Sequence, residues 1–234
     1  MSTNSLIAMK TKEGKFRFVY CHSDGYLGYN GMILNDYYKD YNKVEKLINL
    51  GDISSLGTDP NVEEKDNKFF DTSTYQLHTW VRDYKRWRNE DCPYVELDFR
   101  TFNRMCQKSS AEYIYLFLPT KNGGYRWLFR EVIYTKKYRN LYEYNSSYHM
   151  SGFKPLTQKA INMELCMGYL YQIKRNGEIL NSKRYDDETM DKAVQETSEC
   201  KAECLKTLTE KQFKTAYKLY TTELHKCYNY LIKL

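Results

Sequence analysis

The spacing of apolar and polar residues changes near residue 155 of this 234-residue chain. Before that point, short apolar runs alternate with polar turn sequences, which is typical of strands and short helices. Beyond it, apolar residues recur every three or four positions, as on one face of a helix. We therefore predict an α+β protein: residues 1–145 form a mixed domain on an antiparallel sheet, and residues 155–234 form a helical bundle or hairpin.

Two β-hairpins are predicted in the first domain, because glycine-containing turns between apolar runs are a strong hairpin signal. The runs and turns are residues 6–9 and 16–20 around Gly14, and residues 113–118 and 125–135 around Asn122-Gly123-Gly124. Residues 94–98 are predicted to form another strand. The polar, turn-rich residues 58–74 are predicted to form a loop.

Short helices are predicted between these hairpins. Asp40 is a candidate N-cap for a helix that ends at Gly51. The apolar positions that define the helices are Met32, Ile33 and Tyr37, then Val44, Leu47 and Ile48, and finally Phe99, Phe102 and Cys106.

Three helices are predicted after residue 155. The first ends at Asn176-Gly177, and the third begins at a capping box formed by Thr209 and Gln212. A β-hairpin over residues 167–184 is the alternative for the first helix. The helical stripes are Ala160, Met163, Met167, Leu170 and Lys174; Met190, Ala193, Thr197, Cys200, Cys204 and Leu208; and Phe213, Tyr217, Tyr220, Leu224, Tyr228 and Leu231.

Charge and cysteine content narrow the classes of function. The net charge of +6 permits contact with nucleic acid or acidic proteins, and it argues against an acidic mimic of nucleic acid. The 7 cysteines are scattered and odd in number, which indicates reduced thiols in a cytoplasm. We expect neither a signal peptide nor a membrane span, because no apolar run is long enough.

Cys21, His22 and Asp24 bring a thiol, an imidazole and a carboxylate close together in the sequence. These are the groups of a Cys/His nucleophilic site. However, adjacent strand residues point to opposite faces of a sheet, so Cys21 and His22 meet only if the chain bends between them. The geometry therefore favours a structural role, with a buried Cys21 and a turn at Asp24-Gly25, and we predict no catalytic residue.

Four possible metal ligands lie on the last two predicted helices, namely Cys200, Cys204, His225 and Cys227. Cys200 and Cys204 fall on an apolar stripe, where a free cysteine behaves as a small hydrophobic residue. His225 and Cys227 are two residues apart, which does not suit one helix face. We therefore predict core packing, with no metal and no other cofactor.

A basic and aromatic segment covers residues 121–142, whose six cations and one acidic residue give a net charge of +5. On a strand, Arg126 and Arg130 share one face, and Trp127 and Phe129 share the other. Guanidinium groups beside aromatic rings suit phosphates and unstacked bases. Arg126, Arg130, Lys136 and Lys137 are therefore candidate ligands for nucleic acid or nucleotide. The alternative is an amphipathic sheet whose arginines are solvated.

The string Val-Tyr-Cys-His-Ser-Asp-Gly-Tyr at residues 19–26 and the string Gly-Asp-Ile-Ser-Ser-Leu at residues 51–56 resemble motifs of an uncharacterised family of bacteriophage proteins. Lys43-Val44 and residues 113–117 extend this similarity, which covers about the first 130 residues. Family members often carry Trp at the position of Ser23. The resemblance implies a phage or prophage origin, and it implies no reaction.

Three functions follow from these observations. The first is a non-enzymatic phage accessory protein that binds and inhibits a host protein, for instance a defence protein, in the host cytoplasm. Its predicted contacts are Tyr20, His22, Asp24 and Tyr26, together with a tyrosine-rich helical tail that also suits homo-oligomerisation. The second is a nucleic-acid or nucleotide binder, and the third is a Cys/His enzyme.

Overall fold

The structure is a computed structural model that describes residues 3–61, 76, 78–82, 96–140, 143–182 and 184–234. It describes only the backbone of residues 132–140, 143–150, 225, 228 and 232. The chain forms two compact units, Met1–Thr157 and Gln158–Leu234. No described helix has both the length and the apolar character needed to cross a bilayer.

The first unit is a mixed β-sheet with short helices, which confirms the α+β class. Its strands are β1 Ser5–Lys10, β2 Phe16–Cys21, β3 Ile53–Ser55, β4 Trp80–Val81, β5 Tyr113–Pro119, β6 Tyr125–Asn140, β7 Glu143–Met150 and β8 Lys154–Pro155. Its described helices are α1 Met32–Tyr37, which follows a π-helical turn at Leu27–Gly31, α2 Tyr41–Asn49 and α3 Phe99–Lys108.

The strand order is β4-β3-β2-β1-β5-β6-β7, with β8 also paired to β6. Most pairs are antiparallel, including both predicted hairpins. The pairs β1–β5 and β2–β3 are parallel, so the sheet is not purely antiparallel as predicted. Two parallel strands are joined by a long connection. Turn sequences identify only strands that are neighbours in the sequence, so they do not predict parallel pairs.

Apolar side chains cover both faces of this sheet. On one face, Phe102 and Cys106 of α3 pack against Leu6, Ala8 and Ile114. On the other face, the Trp127 indole donates a hydrogen bond of 2.7 Å to the Tyr38 carbonyl oxygen, which joins β6 to the chain after α1. Residues buried on that second face are Ile7, Met9, Val19, Tyr115, Phe117 and Phe129.

The capping residues and apolar spacing in the sequence of the first unit predicted its helices correctly. The Asp40 carboxylate accepts a hydrogen bond of 3.1 Å from the Lys43 amide, and Gly51 ends the segment with φ 77°. Asp98 caps α3 in the same way. The strand predicted at residues 94–98 is wrong in its described part, where Leu97 forms only an isolated bridge to Phe16. Most of the predicted loop 58–74 lies outside the described residues.

The second unit has four helices in its described residues, rather than the three predicted. They are α4 Gln158–Leu180, α5 Asp187–Leu205, α6 Glu210–Thr222 and α7 Leu224–Lys233. The capping box of Thr209 and Gln212 is present. The predicted third helix is divided at Glu223, whose φ of −147° and ψ of 75° are not helical.

The predicted stop at Asn176-Gly177 is wrong, because α4 continues to Leu180. The Asn176 side chain is buried and donates hydrogen bonds to the Ala193 carbonyl oxygen and to Glu196 Oε2, both at 3.3 Å. This contact with α5 satisfies an amide that would otherwise favour a turn. The alternative β-hairpin over residues 167–184 is also wrong.

Candidate functional site

The motif loop, residues 20–26, leaves the end of β2 and separates the two groups proposed for catalysis. Cys21 has 0% of its surface exposed, and its thiol donates a hydrogen bond of 3.3 Å to the Ser23 carbonyl oxygen. His22 is exposed, and its Nδ1 lies 3.3 Å from the Tyr20 hydroxyl. The two side chains therefore point to opposite faces of β2, as strand alternation requires.

Burial keeps the Cys21 thiol protonated. It raises the pKa of this thiol to about 11, and the hydrogen bond from the Asn30 side chain offsets only part of the effect. The negative charge of Asp24 raises the pKa further. A reactive cysteine needs its thiolate at neutral pH. The arrangement of Cys21, His22 and Asp24 does not provide one.

Asn30 supports the motif loop from the turn that follows it, and the sequence did not reveal this role. Its amide nitrogen donates hydrogen bonds to Ser5 Oγ at 3.1 Å and to Cys21 Sγ at 3.3 Å. The side chain is fully buried, and its Oδ1 has no hydrogen-bond partner in the part of the chain that the structure describes. A buried polar group of this kind fixes a conformation at a cost in stability.

The backbone of Asp24 and Gly25 is held tightly. Asp24 has φ 56°, a left-handed conformation in which non-glycine residues are strained. The Gly25 amide donates to the Thr3 carbonyl oxygen at 2.8 Å, and the Tyr115 hydroxyl donates to the Gly25 carbonyl oxygen at 2.8 Å. A Cβ on Gly25 would lie 2.6 Å from the Asn4 carbonyl carbon, so only glycine fits there.

A π-helical turn over Leu27–Gly31 follows directly. The Gly31 amide donates to the Tyr26 carbonyl oxygen at 3.3 Å, and the Asn30 amide donates to the Asp24 carbonyl oxygen at 3.2 Å. Short π-helical segments are rare, and they are frequently found at functional sites. The turn leaves the Tyr26 side chain 37% exposed, with its ring centroid 6.4 Å from that of Tyr29.

Asp52 of the second motif string, residues 51–56, contacts the solvent-exposed side of the motif loop. Asp52 Oδ1 accepts a hydrogen bond of 2.8 Å from the Tyr20 amide, and the Asp52 carbonyl oxygen accepts one of 2.8 Å from the Arg82 amide. The Arg82 guanidinium lies 5.5 Å from the centre of the Tyr20 ring. The rings of Tyr20 and His22 are 6.2 Å apart. Residues 20, 22, 52 and 82 thus form one polar and aromatic surface.

The two candidate arginines of β6 occupy different environments. Arg126 is exposed, whereas Arg130 has only 5% of its surface exposed. Arg130 Nη1 donates to Asn103 Oδ1 at 2.9 Å, and its guanidinium lies 4.5 Å from the centre of the Phe153 ring. The face shared by both arginines is therefore partly covered by α3. The burial of Arg130 does not fit the alternative in which both arginines are solvated, and the binding of nucleic acid or nucleotide by these arginines stays a prediction.

The remaining basic candidates, Lys136 and Lys137, lie on a two-stranded ribbon. The pairing of β6 with β5 ends at Glu131, and from Val132 the described partner of β6 is β7. Lys136 lies opposite Ser146, and Lys137 lies opposite Asn145. Only the backbone is described here, so the contacts of these two lysine side chains lie outside the description.

Three of the four possible metal ligands, Cys200, Cys204 and Cys227, have described side chains. Cys204 and Cys227 are buried in one apolar core, and the Cys227 thiol donates to the Ala216 carbonyl oxygen at 3.2 Å. The side chain of His225 is not described. Among the described residues, no group of three or more His, Cys, Asp or Glu side chains is arranged to hold a metal ion.

No family model, curated protein or solved structure matches this chain. The similarity of residues 19–26 and 51–56 to bacteriophage proteins therefore stays a prediction.

Proposed function

We propose that this is a phage accessory protein that binds a host protein without catalysis, with the motif loop as its main contact surface. The observation that carries the proposal is the rigid, strained backbone of residues 24–31, which presents Tyr26 and His22 to solvent. Its site of action is the host cytoplasm, where the six described cysteines, all free thiols, stay reduced.

The energetic cost of the loop supports binding. A left-handed Asp24, a π-helical turn and a buried amide oxygen without a described partner each reduce stability. Strain of this kind persists where the surrounding structure fixes it, and it is common at sites that must be preorganised. A preorganised surface loses less conformational entropy when a partner binds.

The exposed side chains are suited to a protein partner. Tyr20 and Tyr26 offer large, stiff rings with a polar end, and aromatic residues often dominate binding energies. His22 adds a polar group beside Tyr20. The bound phage protein then inhibits the host protein by covering part of its surface, and no covalent bond is made or broken.

The experiment is affinity capture from a bacterial lysate with the wild-type protein, Tyr26→Ala and Tyr37→Ala. Tyr37 is a matched control because it lies in the same unit and is 43% exposed. We expect one host protein to be retained by the wild type and by Tyr37→Ala, with at least about tenfold weaker retention by Tyr26→Ala. Binding is then measured with the purified host protein. Failure to retain any protein at low micromolar concentration, or equal retention by both variants, contradicts the proposal.

A second candidate function is nucleic-acid binding through the β6–β7 ribbon. The observation in its favour is that β6 extends to Asn140, beyond its pairing with β5. Lys136 and Lys137 therefore lie on a two-stranded ribbon that β6 forms with β7. Two-stranded ribbons fit the major groove of B-DNA. Arg130 is buried, so Lys136, Lys137 and the exposed Arg126 are the candidate cations that this function would use first.

Salt dependence tests this second function. If both lysines contact phosphates of duplex DNA, the double variant Lys136→Ala/Lys137→Ala should reduce the slope of log affinity against log salt by about 1.8. The control is Lys211→Ala/Lys214→Ala, which removes two exposed lysines of α6. Absence of DNA and RNA binding at low salt excludes this function.

A further inference from the structure

Two buried arginines of the first unit differ in how their charge is balanced. Arg17 and Arg130 are 7% and 5% exposed, and each donates a hydrogen bond to an asparagine of a helix, Asn49 of α2 and Asn103 of α3 respectively. Arg17 Nη1 also lies 3.9 Å from Glu45 Oε1. Arg130 forms no ion pair with a carboxylate among the residues that the structure describes. Because arginine keeps its proton in proteins, Arg130 holds a positive charge in a buried position.

The donors of Arg130 that have no partner lie together. Nη1 donates to Asn103 Oδ1 at 2.9 Å, whereas Nε and Nη2 are buried and have no hydrogen-bond partner in the described part of the chain. Nε and Nη2 form one edge of the planar guanidinium, and the two N–H groups of such an edge match two oxygens of one oxyanion. An anion that accepts both hydrogen bonds would satisfy the buried donors and balance the buried charge.

The charged residues around Arg130 favour an anion with more than one negative charge. The nearest acidic residue in the sequence, Glu131, accepts a hydrogen bond of 3.1 Å from Lys154 Nζ instead. Helix α3 has no acidic residue and three cations, which are Arg100, Arg104 and Lys108. Positive charge therefore exceeds negative charge on the elements that carry Arg130 and Asn103, which favours a phosphate dianion over a monocarboxylate.

The surroundings of the guanidinium limit the size of its ligand. The Phe153 ring centre lies 4.5 Å from the guanidinium carbon, and the Phe153 side chain is half-buried. The preceding residue is Gly152, and a Cβ built there would meet no heavy atom within 4 Å. The chain beside Phe153 therefore has open space, and the ring can give access to a small ion. A nucleic-acid backbone is too bulky to reach an edge covered in this way.

We propose that the Nε–Nη2 edge of Arg130 binds one inorganic phosphate ion, and that Asn103 orients the guanidinium for this contact. Nε and Nη2 each donate a hydrogen bond to a different phosphate oxygen, and Nη1 keeps its bond to Asn103. The site uses none of residues 20–26, so it does not depend on the proposed binding of a host protein. Phosphate bound here would stabilise the packing of α3 on β6.

The test is isothermal titration calorimetry of the full chain with sodium phosphate at constant ionic strength. Arg126→Met is the matched control for Arg130→Met, because Arg126 is an exposed arginine of the same strand. We expect one phosphate per chain for the wild type and for Arg126→Met, and at least about tenfold weaker binding by Arg130→Met. Chloride should give no heat of binding. Equal binding by both variants, an equal response to chloride, or no phosphate binding by the wild type at millimolar concentration overturns the proposal.

A second measurement uses the native wild-type protein and does not require the Arg130 variant to fold. NMR spectroscopy of the isotope-labelled protein follows the arginine Nε–H signals as phosphate is added. The Arg130 signal should shift until the site is saturated, because its Nε–H donates to the ion. Arg17 is the internal control, since it is similarly buried but lies beside Glu45, and its signal should not shift. An unchanged Arg130 signal, or an equal shift of the Arg17 signal, overturns the proposal.

Discussion

Cys21 and Cys166 are both buried cysteines, yet their surroundings give them opposite properties. Cys21 is buried beside Ser5, Ser23 and Asn30, and burial, with a smaller effect of the Asp24 charge, raises its pKa to about 11. Cys166 lies beside a second thiol at a cavity, and the Cys204 hydrogen bond lowers its pKa to about 7. The motif that looks chemical in the sequence holds the inert thiol. The helical unit, whose sequence predicts only core packing, holds the thiol whose pKa is lowered.

This contrast shows what determines thiol reactivity. Chemically active residue types next to each other in the sequence need not meet in space, because a strand sends neighbours to opposite faces. By contrast, residues far apart in the sequence meet where two helices pack. Partners in space, rather than neighbours in sequence, set the pKa of a thiol.

The largest expected effect is that of Gly25→Ala, which tests whether the motif loop is structural. The new Cβ would lie 2.6 Å from backbone of Asn4, so we expect the free energy of unfolding to fall by about 4 kcal/mol. Gly124→Ala is the control, because its Cβ would lie at an ordinary 3.6 Å from Thr120 Oγ1. Urea unfolding measures both. A loss of less than about 1 kcal/mol for Gly25→Ala would show that the loop adapts easily.

The pH dependence of stability should have opposite signs for the two thiols. The folded-state pKa of Cys21 is raised, so its contribution is complete below about pH 9 and is lost as the pH rises towards 11. A shift from 9.0 to about 11 corresponds to about 3 kcal/mol. The folded-state pKa of Cys166 is lowered, so its contribution is present above about pH 9 and is lost as the pH falls through 7.

Serine variants isolate these two contributions, because serine does not titrate in this range. Urea unfolding of Cys21→Ser should show a smaller loss of stability between pH 9 and 11 than the wild type. Cys166→Ser should instead lack the gain in stability between pH 7 and 9. The same pH profile for both variants would contradict the contrast between the thiols.

A smaller effect is expected for Asn30→Ala, which removes the amide that holds Cys21 and Ser5. We expect a loss of about 2 kcal/mol, because buried hydrogen bonds are lost and a small cavity forms. Asn35→Ala is the control, since the Asn35 side chain hydrogen bonds to the neighbouring Asp36 at the surface. Equal stability of the two variants would mean that Asn30 does not fix the loop.

The smallest expected losses of stability come from removing one helix N-cap in each unit. Asp98 caps α3 in the first unit, and Asp186 caps α5 in the second. Each alanine variant should cost about 1 kcal/mol. All three tryptophans, at positions 80, 87 and 127, belong to the first unit, so only Asp98→Ala should shift the unfolding transition measured by tryptophan fluorescence. An equal shift with Asp186→Ala would show that the units unfold together.

Much of the local structure was predictable because its signals are short-range. Asp40 and the Thr209–Gln212 box each satisfy backbone amides within three residues, and the Gly123 turn joins adjacent strands. The parallel β1–β5 pair was not predictable in this way, because Ser5 pairs with Tyr113 across more than a hundred residues. Asn176 was misjudged because its partner, Ala193, lies on another helix.

The candidate site was predictable only in part. The separation of Cys21 from His22 follows from strand alternation, whereas the burial of Arg130 depends on the position of α3 against the sheet. Asn30 carries no motif, and its role comes from its position beneath the loop. The presence of Cys166 and Cys204 in one core depends on how two helices pack, which the apolar stripe of a single helix does not specify.

The central position of β1 has a consequence for the order of folding. β1 pairs with β2 at once through a short turn, but its other edge stays open until residues 113–117 have been synthesised. Pairing across so long a separation is slow, and an open strand edge can pair with other chains meanwhile. The helical unit forms mostly from sequence neighbours and does not share this delay. Crowded expression should therefore produce aggregates that begin at β1, whereas slower synthesis should favour the soluble protein.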